Sequence, residues 1–134
     1  MKESARPDES TLRTLEGVLA SEPDVRFAYL FGSAAEGGMG PRSDVDVAVM
    51  FDGNPPLSRE LSLHHRIAKT LKRDVDLVTL NRSRSLPLLD RIVLRGVVVC
   101  DRDPGGRFDF ELSTHHRYLD FRSMKEYCRE RPDS

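Results

Sequence analysis

The feature that most constrains this chain is the stretch 26–52, RFAYLFGSAAEGGMGPRSDVDVAVMFD. A short apolar run, 28–31, ends at Gly32-Ser33, and a loop rich in glycine leads to a second apolar run that begins with Asp44. Glycine and proline interrupt regular structure, and glycine lets the backbone approach a ligand closely. The pattern therefore predicts a strand, a ligand-binding loop and a second strand.

Two carboxylates share one face of the second predicted strand. Because side chains alternate along a strand, Asp44 and Asp46 point to the same side, roughly 6.6–6.8 Å apart. The opposite face is entirely apolar and is predicted to face the core; it comprises Val45, Val47, Val49 and Phe51. Neighbouring carboxylates raise each other's proton affinity, and Mg²⁺, which binds carboxylate and phosphate oxygens, relieves this conflict. On these residues alone, the pair could also be the exposed start of an edge strand.

A third carboxylate is expected beside this pair. A helix is predicted over 57–72 and a strand over 75–80, with Asp76 on the same strand face as Val78 and Leu80. A strand–helix–strand unit of this length has a right-handed crossover and places both strands in one sheet. Asp76 is therefore expected near Asp44 and Asp46, although the alternative that it is simply the polar side of a strand stays open.

Gly32-Ser33, followed after ten residues by Asp44-x-Asp46, resembles the motif of the polymerase-β-like nucleotidyltransferases. The short chain resembles most closely the minimal nucleotidyltransferase (MNT) domains, many of which are antitoxins paired with HEPN ribonuclease toxins. The resemblance extends from about Leu12 to Tyr127. It implies an α/β (α+β) fold, in which a small mixed β-sheet is flanked by helices.

The resemblance also implies the roles of the site residues. The catalytic and metal-binding residues would be Asp44, Asp46 and Asp76, with two Mg²⁺ ions as cofactors. The phosphate-binding residues would be Gly32 and Ser33, with Arg42 and Ser43 as further candidates. Asp76 would also assist the attacking hydroxyl. From the residues alone, Ser33 could equally be a turn residue, Arg42 a solvated side chain and Ser43 a cap.

The resemblance implies that the chain transfers AMP from ATP to a tyrosine of a cognate HEPN toxin, in a hetero-oligomeric complex, and so neutralises the ribonuclease. A non-catalytic antitoxin is the first alternative. Glu36 favours it, because MNT domains often carry Arg or Lys near this position and Glu36 offers no positive charge to a triphosphate. The second alternative is a small-molecule, aminoglycoside-type nucleotidyltransferase, which usually has a further substrate-binding domain.

Composition narrows the remaining classes. With 134 residues, 38% of them hydrophobic, the chain is expected to form one domain over 1–134, with a flexible tail at 1–7. The 21 basic and 22 acidic residues give a net charge of −1, so direct nucleic acid binding is not expected. Without a long apolar run, no membrane association is expected. Two cysteines without metal-ligand spacing favour a cytoplasmic protein.

Helical spacing predicts three further helices, over 8–19, 85–95 and 108–130, and a short strand over 97–100. The segment 101–106, DRDPGG, is predicted to be a turn. The helix over 57–72 is expected to bury Leu57, Leu61, Ala68 and Leu71. In the C-terminal helix, Arg107-Phe108-Asp109 and Tyr118-x-Asp120 resemble the tail of MNT domains. Its apolar residues could pack on the sheet or dock a partner, and both readings stay open.

Two histidine pairs and one arginine are not assigned to the site. His64-His65 and His115-His116 are interpreted as surface or interface residues, because neighbours on a helix point about 100° apart. Arg59 and His64 have the Arg-x4-His spacing of HEPN ribonucleases, which is interpreted as coincidence because the chain lacks an all-helical pattern.

Overall fold

The computed structural model describes residues 9–32, 35 and 44–129. The predicted tail at 1–7 lies outside these residues. The elements in chain order are α1 (Glu9–Ala20), β1 (Val25–Phe31), β2 (Val45–Phe51), α2 (Leu57–Leu71), β3 (Val75–Thr79), α3 (Leu86–Arg95), β4 (Val97–Asp101) and α4 (Pro104–Arg129).

The four strands form one mixed sheet in the order β3-β2-β1-β4. β1 is antiparallel to both of its neighbours, whereas β2 and β3 are parallel and are joined through α2. The predicted strand–helix–strand unit and the predicted mixed sheet flanked by helices are therefore confirmed.

Both faces of the sheet are covered. The predicted core face of β2 packs against α1 and α2, where Leu15, Leu63 and Ile67 are fully buried. The opposite face, which begins with the acidic residues, continues with buried Ala48 and packs against α3. The candidate site therefore lies at one end of the sheet, on the face that α3 covers.

The predicted buried stripe of α2 is wrong at its first two positions. Leu57 and Leu61 are 63% and 56% exposed, whereas Leu63 and Ile67 are fully buried. Leu63, Ile67 and Leu71 form a second apolar line at four-residue spacing, and this line faces the core. Arg59 pairs with Asp24 and with the buried Glu22, and so anchors the first turn of α2 against the α1–β1 turn. The spacing of apolar residues carries no information about this ion pair.

The C-terminal helix begins at Pro104, four residues before the predicted start, and the turn predicted over 101–106 is wrong in its second half. The side-chain Oδ1 of Asp103 accepts a hydrogen bond from the Gly106 backbone N–H at 3.0 Å. This is an N-cap, and proline fits the first helical position because its missing N–H would have no intrahelical partner. The helix thus includes both glycines of the predicted turn.

Four contacts hold the first half of α4 against the core. Phe110 stacks on Phe27 with a ring-centroid distance of 5.6 Å, and the Tyr29 hydroxyl donates to Glu111 at 2.6 Å. Thr114 is buried, and His115 bonds to α3. Every residue from 119 to 129 is exposed, so the second half of the helix extends beyond these contacts.

No helix among the described residues is both long and apolar enough to cross a membrane.

Candidate active site

The structure brings the three predicted carboxylates to one end of the sheet. Asp46 on β2 is paired in parallel register with Asp76 on β3, so the two residues lie side by side on neighbouring strands, which are about 4.8 Å apart. Asp44 precedes the first residue of β2 and is exposed. Two adjacent strands and the segment that enters one of them therefore position all three residues.

Electrostatics indicate that the negative charges converge on Asp46. Burial raises the pKa of the Asp46 carboxyl group above its ordinary value, and the nearby charges of Asp76 and Asp44 raise it further. The charge of Arg91, on α3, acts in the opposite direction and lowers this pKa. The cluster is thus partly neutralised from the helix above it, and a bound cation would stabilise it further.

Arg91 is a candidate site residue that sequence reasoning missed. It is exposed and lies next to the buried residues Leu89 and Ile92, which pack α3 on the sheet. Helical spacing identified that buried side, but it contained no signal for which exposed residue of α3 would face the carboxylates. Only the placement of α3 above β2 reveals it.

Gly32 shapes the site from the end of β1. Its φ of +74° lies in the left-handed region that favours glycine, and the preceding residue, Phe31, is paired with Asp46. A Cβ atom at position 32 would overlap Oδ2 of Asp46 and would lie 3.1 Å from its Cγ. Glycine is therefore required both for the turn and for the close approach of the backbone to a carboxylate.

The rest of the predicted phosphate-binding loop lies outside the described residues. This applies to Ser33, Arg42 and Ser43, and also to Glu36. Within the described part, the backbone N–H of Ala35 donates to the carbonyl of Gly32 at 3.2 Å, and Ala35 is buried. The loop therefore leaves β1 through a hydrogen-bonded turn, and the roles of these four residues stay predictions.

The acidic cluster has the donor chemistry of a magnesium site. Within residues 9–32, 35 and 44–129, no group of three or more His, Cys, Asp or Glu side chains is placed to hold a metal ion by itself. Mg²⁺ usually requires only one or two carboxylates and completes its shell with water and phosphate oxygens. Asp44, Asp46 and Asp76 fit this requirement, and the absence of a side chain at Gly32 lets the Asp46 carboxylate lie against the turn.

One histidine of each pair, and Arg59, make packing contacts, and His64 also lines a cavity of about 220 Å³ that reaches Asp76. Nδ1 of His115 lies 2.8 Å from Oδ1 of the buried Asp90 and links α4 to α3, while Nε2 of His64 lies 2.6 Å from the Val75 carbonyl oxygen. Arg59 is held by its acidic partners, Asp24 and Glu22. The Arg-x4-His spacing is thus part of the packing of α2.

Comparison with known proteins identifies the family to which this chain belongs. Residues 13–105 match the family described as Polymerase beta, Nucleotidyltransferase, which is more than half of the chain. The chain therefore belongs to this nucleotidyltransferase family. The matched range contains Gly32 and all three carboxylates.

Two curated proteins are similar in sequence. The chain is 36% identical over 74 residues to the protein adenylyltransferase MntA of Shewanella oneidensis, an alignment that covers 55% of this chain and 52% of that protein. It is 39% identical over 70 residues to a candidate protein adenylyltransferase of Methanocaldococcus jannaschii, covering 51% of this chain and 70% of that protein. The chain thus spans about half the length of the first relative.

Solved structures share the fold over nearly the whole chain. One is a toxin–antitoxin structure with AMP-PNP, which has a TM-score of 0.76 at 24% identity and covers 92% of this chain and 98% of that chain. Another is a complex of a tri-AMPylated Shewanella oneidensis HEPN toxin with an MNT antitoxin, with a TM-score of 0.69 at 22% identity, covering 94% and 98%. The predicted polymerase-β-like nucleotidyltransferase fold is confirmed.

The raised pKa of Asp46 predicts a pH-dependent cost in stability. The folded protein binds a proton at Asp46 more tightly than the unfolded chain does, so stability falls as pH rises from the ordinary value of 3.8 through the raised pKa. We expect Asp46→Asn to remove this component and to raise the melting temperature at neutral pH.

Thermal unfolding from about pH 4 to about pH 7, without divalent cations, measures this effect. Asp52→Asn is the matched control, because Asp52 is exposed and follows the other end of the same strand. If the melting temperature depends on pH equally in Asp46→Asn and in the wild type, the prediction that ionised Asp46 destabilises the fold is wrong.

Proposed function

We propose that this chain is a Mg²⁺-dependent protein adenylyltransferase that transfers AMP from ATP to a tyrosine of a HEPN ribonuclease and so acts as its antitoxin. The observation that carries the proposal is the convergence of Asp44, Asp46 and Asp76 beside the Gly32 turn. The family match supports nucleotidyl transfer, and the names of the two curated relatives support a protein as the acceptor.

The carboxylates are the residues that would hold magnesium. When bound there, Mg²⁺ would offset the negative charge that a triphosphate brings to the cluster and would polarise the phosphoryl group. Gly32 lets the Asp46 carboxylate lie against the turn at the end of β1, and Arg91 contributes positive charge from α3. The predicted loop residues Ser33, Arg42 and Ser43 would add donors to the phosphates.

The proposed reaction is a single displacement at the α-phosphorus of ATP. The phenolic oxygen of the acceptor forms a bond to this phosphorus, the bond to the β-phosphate oxygen breaks, and pyrophosphate leaves. The phenolic proton passes to Asp76, which is exposed and lies beside Asp46. Orientation of the acceptor oxygen in line with the leaving group supplies much of the catalytic effect.

The identity of the partner rests on the relatives. The similar solved chains come from toxin–antitoxin structures, one of which is described as containing a HEPN toxin that carries AMP. A bulky, negatively charged AMP group on the toxin would hinder its ribonuclease activity by like-charge repulsion of RNA phosphates. Neutralisation would then be covalent and would persist after the two proteins separate.

Labelled ATP tests the reaction type. The chain is incubated with Mg²⁺, the candidate HEPN partner, and ATP that carries the label either on the α-phosphate or on the γ-phosphate. Nucleotidyl transfer predicts that only the α-label becomes bound to the HEPN protein and that pyrophosphate is released in equal amount. Incorporation of the γ-label would indicate a kinase and would contradict the proposal.

A binding-only antitoxin is the second candidate, and Glu36 is the sequence feature that favours it. That function predicts that ribonuclease activity is blocked without ATP, and that it returns when the two proteins are separated. The covalent mechanism predicts that the separated HEPN protein stays inactive.

A further inference from the structure

The second half of α4 presents a large apolar surface to solvent. Phe121, Met124 and Tyr127 are 36%, 67% and 59% exposed, within a segment of eleven consecutive exposed residues at 119–129. Aromatic side chains and methionine are enriched in protein interfaces, and a contiguous exposed patch of this kind commonly marks one. The surface is therefore a candidate docking site, which we call the α4 patch (117–129).

The α4 patch is also basic. Between 117 and 129, four basic residues, Arg117, Arg122, Lys125 and Arg129, outnumber two acidic ones, Asp120 and Glu126. Glu126 is partly compensated by Arg122 at 3.6 Å, and the ammonium group of Lys125 lies 5.7 Å from the centre of the Phe121 ring. Apolar anchors surrounded by positive charge are complementary to a partner segment that is apolar and acidic.

The α4 patch is continuous with a groove that leads to the acidic cluster. One cavity of about 420 Å³ lies between Pro87 of α3 and the exposed half of α4. A second cavity, of about 380 Å³, runs along α3 past Arg91 and Leu94, and the two share Pro87 and Tyr118 as lining residues. Arg91, which lines the second cavity, is also the residue of α3 whose charge acts on Asp46, so this end of the groove lies on the side of α3 that is closer to the acidic cluster.

We propose that this groove, from the α4 patch to Arg91, binds an acidic, apolar segment of the HEPN partner and so directs the acceptor hydroxyl to the carboxylates. The proposal rests on the proposed function, since it names how that function selects its protein substrate. Phe121 and Met124 are the apolar anchors, and Arg122 and Lys125 pair with acidic residues of the segment.

The test measures the Kd between the full chain and the HEPN protein by calorimetry. One double variant, Phe121→Ser with Met124→Ser, removes the apolar anchors. A second, Arg122→Glu with Lys125→Glu, reverses the basic charges. All four residues are exposed, so the fold should tolerate these changes. We expect Kd to rise at least about tenfold in each variant, because a few anchors carry most of an interface's affinity.

The matched controls lie on α2. Leu57→Ser removes an apolar side chain that is 63% exposed, and Lys69→Glu reverses a charge on the same helix. These variants are expected to bind the HEPN protein within about twofold of the wild type. The Kd for AMP-PNP should be unchanged in all variants, since none of these residues belongs to the nucleotide site.

The outcomes separate the two proposals. Weaker binding by the α4 variants without AMP transfer by the wild type would support the docking groove and overturn the transferase. AMP transfer by the wild type with unchanged binding by the α4 variants would overturn the groove alone. If the α4 variants change only the self-association of the chain, measured by light scattering, the patch is a contact between two copies and the proposal is wrong.

Discussion

Replacing Asp44 and Asp46 together by alanine is expected to lower the rate of AMP transfer by at least roughly a thousandfold. After this change, Asp76 would be the only carboxylate left in the cluster, so most of the donor oxygens for the metal would be lost. Metal-assisted charge stabilisation in phosphoryl transfer contributes several kcal/mol. Incorporation of α-labelled AMP into the HEPN protein measures the rate. Residual transfer within about tenfold of the wild type would contradict the assignment of the metal ligands.

The control for this variant is its affinity for the HEPN protein. Neither aspartate lies on the α4 patch, so Kd should remain close to the wild-type value. The fold should also persist, because removal of two mutually repelling carboxylates relieves the conflict that raises the pKa of Asp46. Loss of both transfer and binding would instead indicate that the variant is misfolded.

Gly32→Ala is expected to lower both stability and activity. Alanine at a φ of +74° costs about 1 kcal/mol, and its Cβ would overlap Oδ2 of Asp46, which raises the expected loss of unfolding free energy to roughly 2–3 kcal/mol. Displacement of Asp46 should also lower AMP transfer by at least about a hundredfold, because a shift of about 1 Å in a positioned group has effects of this size.

Gly53 offers a control with the same backbone conformation. Its φ is +73°, but a Cβ there would meet no atom within 4 Å. Gly53→Ala therefore measures the strain alone, about 1 kcal/mol, with activity retained. Chemical denaturation compares the two variants, and Asp46→Ala combined with Gly32→Ala should lose less stability than the separate effects add up to. Equal destabilisation at both glycines would show that contact with Asp46 is unimportant.

The acidic cluster could be predicted because strand geometry is local. The alternation of side chains places Asp44 and Asp46 on one face, and the handedness of strand–helix–strand units brings Asp76 beside them. Both inferences need only the periods of the two strands and the length of the helix between them. The register that pairs Asp46 with Asp76 agrees with this expectation.

Other features depend on tertiary contacts that no local pattern contains. The charge of Arg91 acts on Asp46 because of the position of α3 on the sheet, and Arg59 anchors the first turn of α2 through Asp24 and Glu22. The early start of α4 depends on the cap from Asp103, which the sequence placed in a turn. In each case a single side-chain interaction determines a feature that the average structural preference of the local sequence does not predict.

The apolar residues of α4 show a further limit of periodicity. Phe121 and Met124 recur at helical spacing, as core residues do, yet both are exposed. Apolar spacing identifies a surface that avoids water without specifying whether this chain or another protein covers it. Of the two readings of this helix, packing on the sheet holds at Phe110 and Thr114, whereas Phe108 and Leu112 in the same half are 61% and 47% exposed.

The intact mass of the HEPN protein after incubation with this chain, ATP and Mg²⁺ distinguishes covalent modification from binding alone. AMP transfer predicts an increase by one or more AMP units, located on tyrosine by peptide sequencing, and no increase with the Asp44→Ala/Asp46→Ala variant or with a chelator. An unchanged mass, together with a stable complex that blocks the ribonuclease, would contradict it and would make this chain an antitoxin that acts by binding.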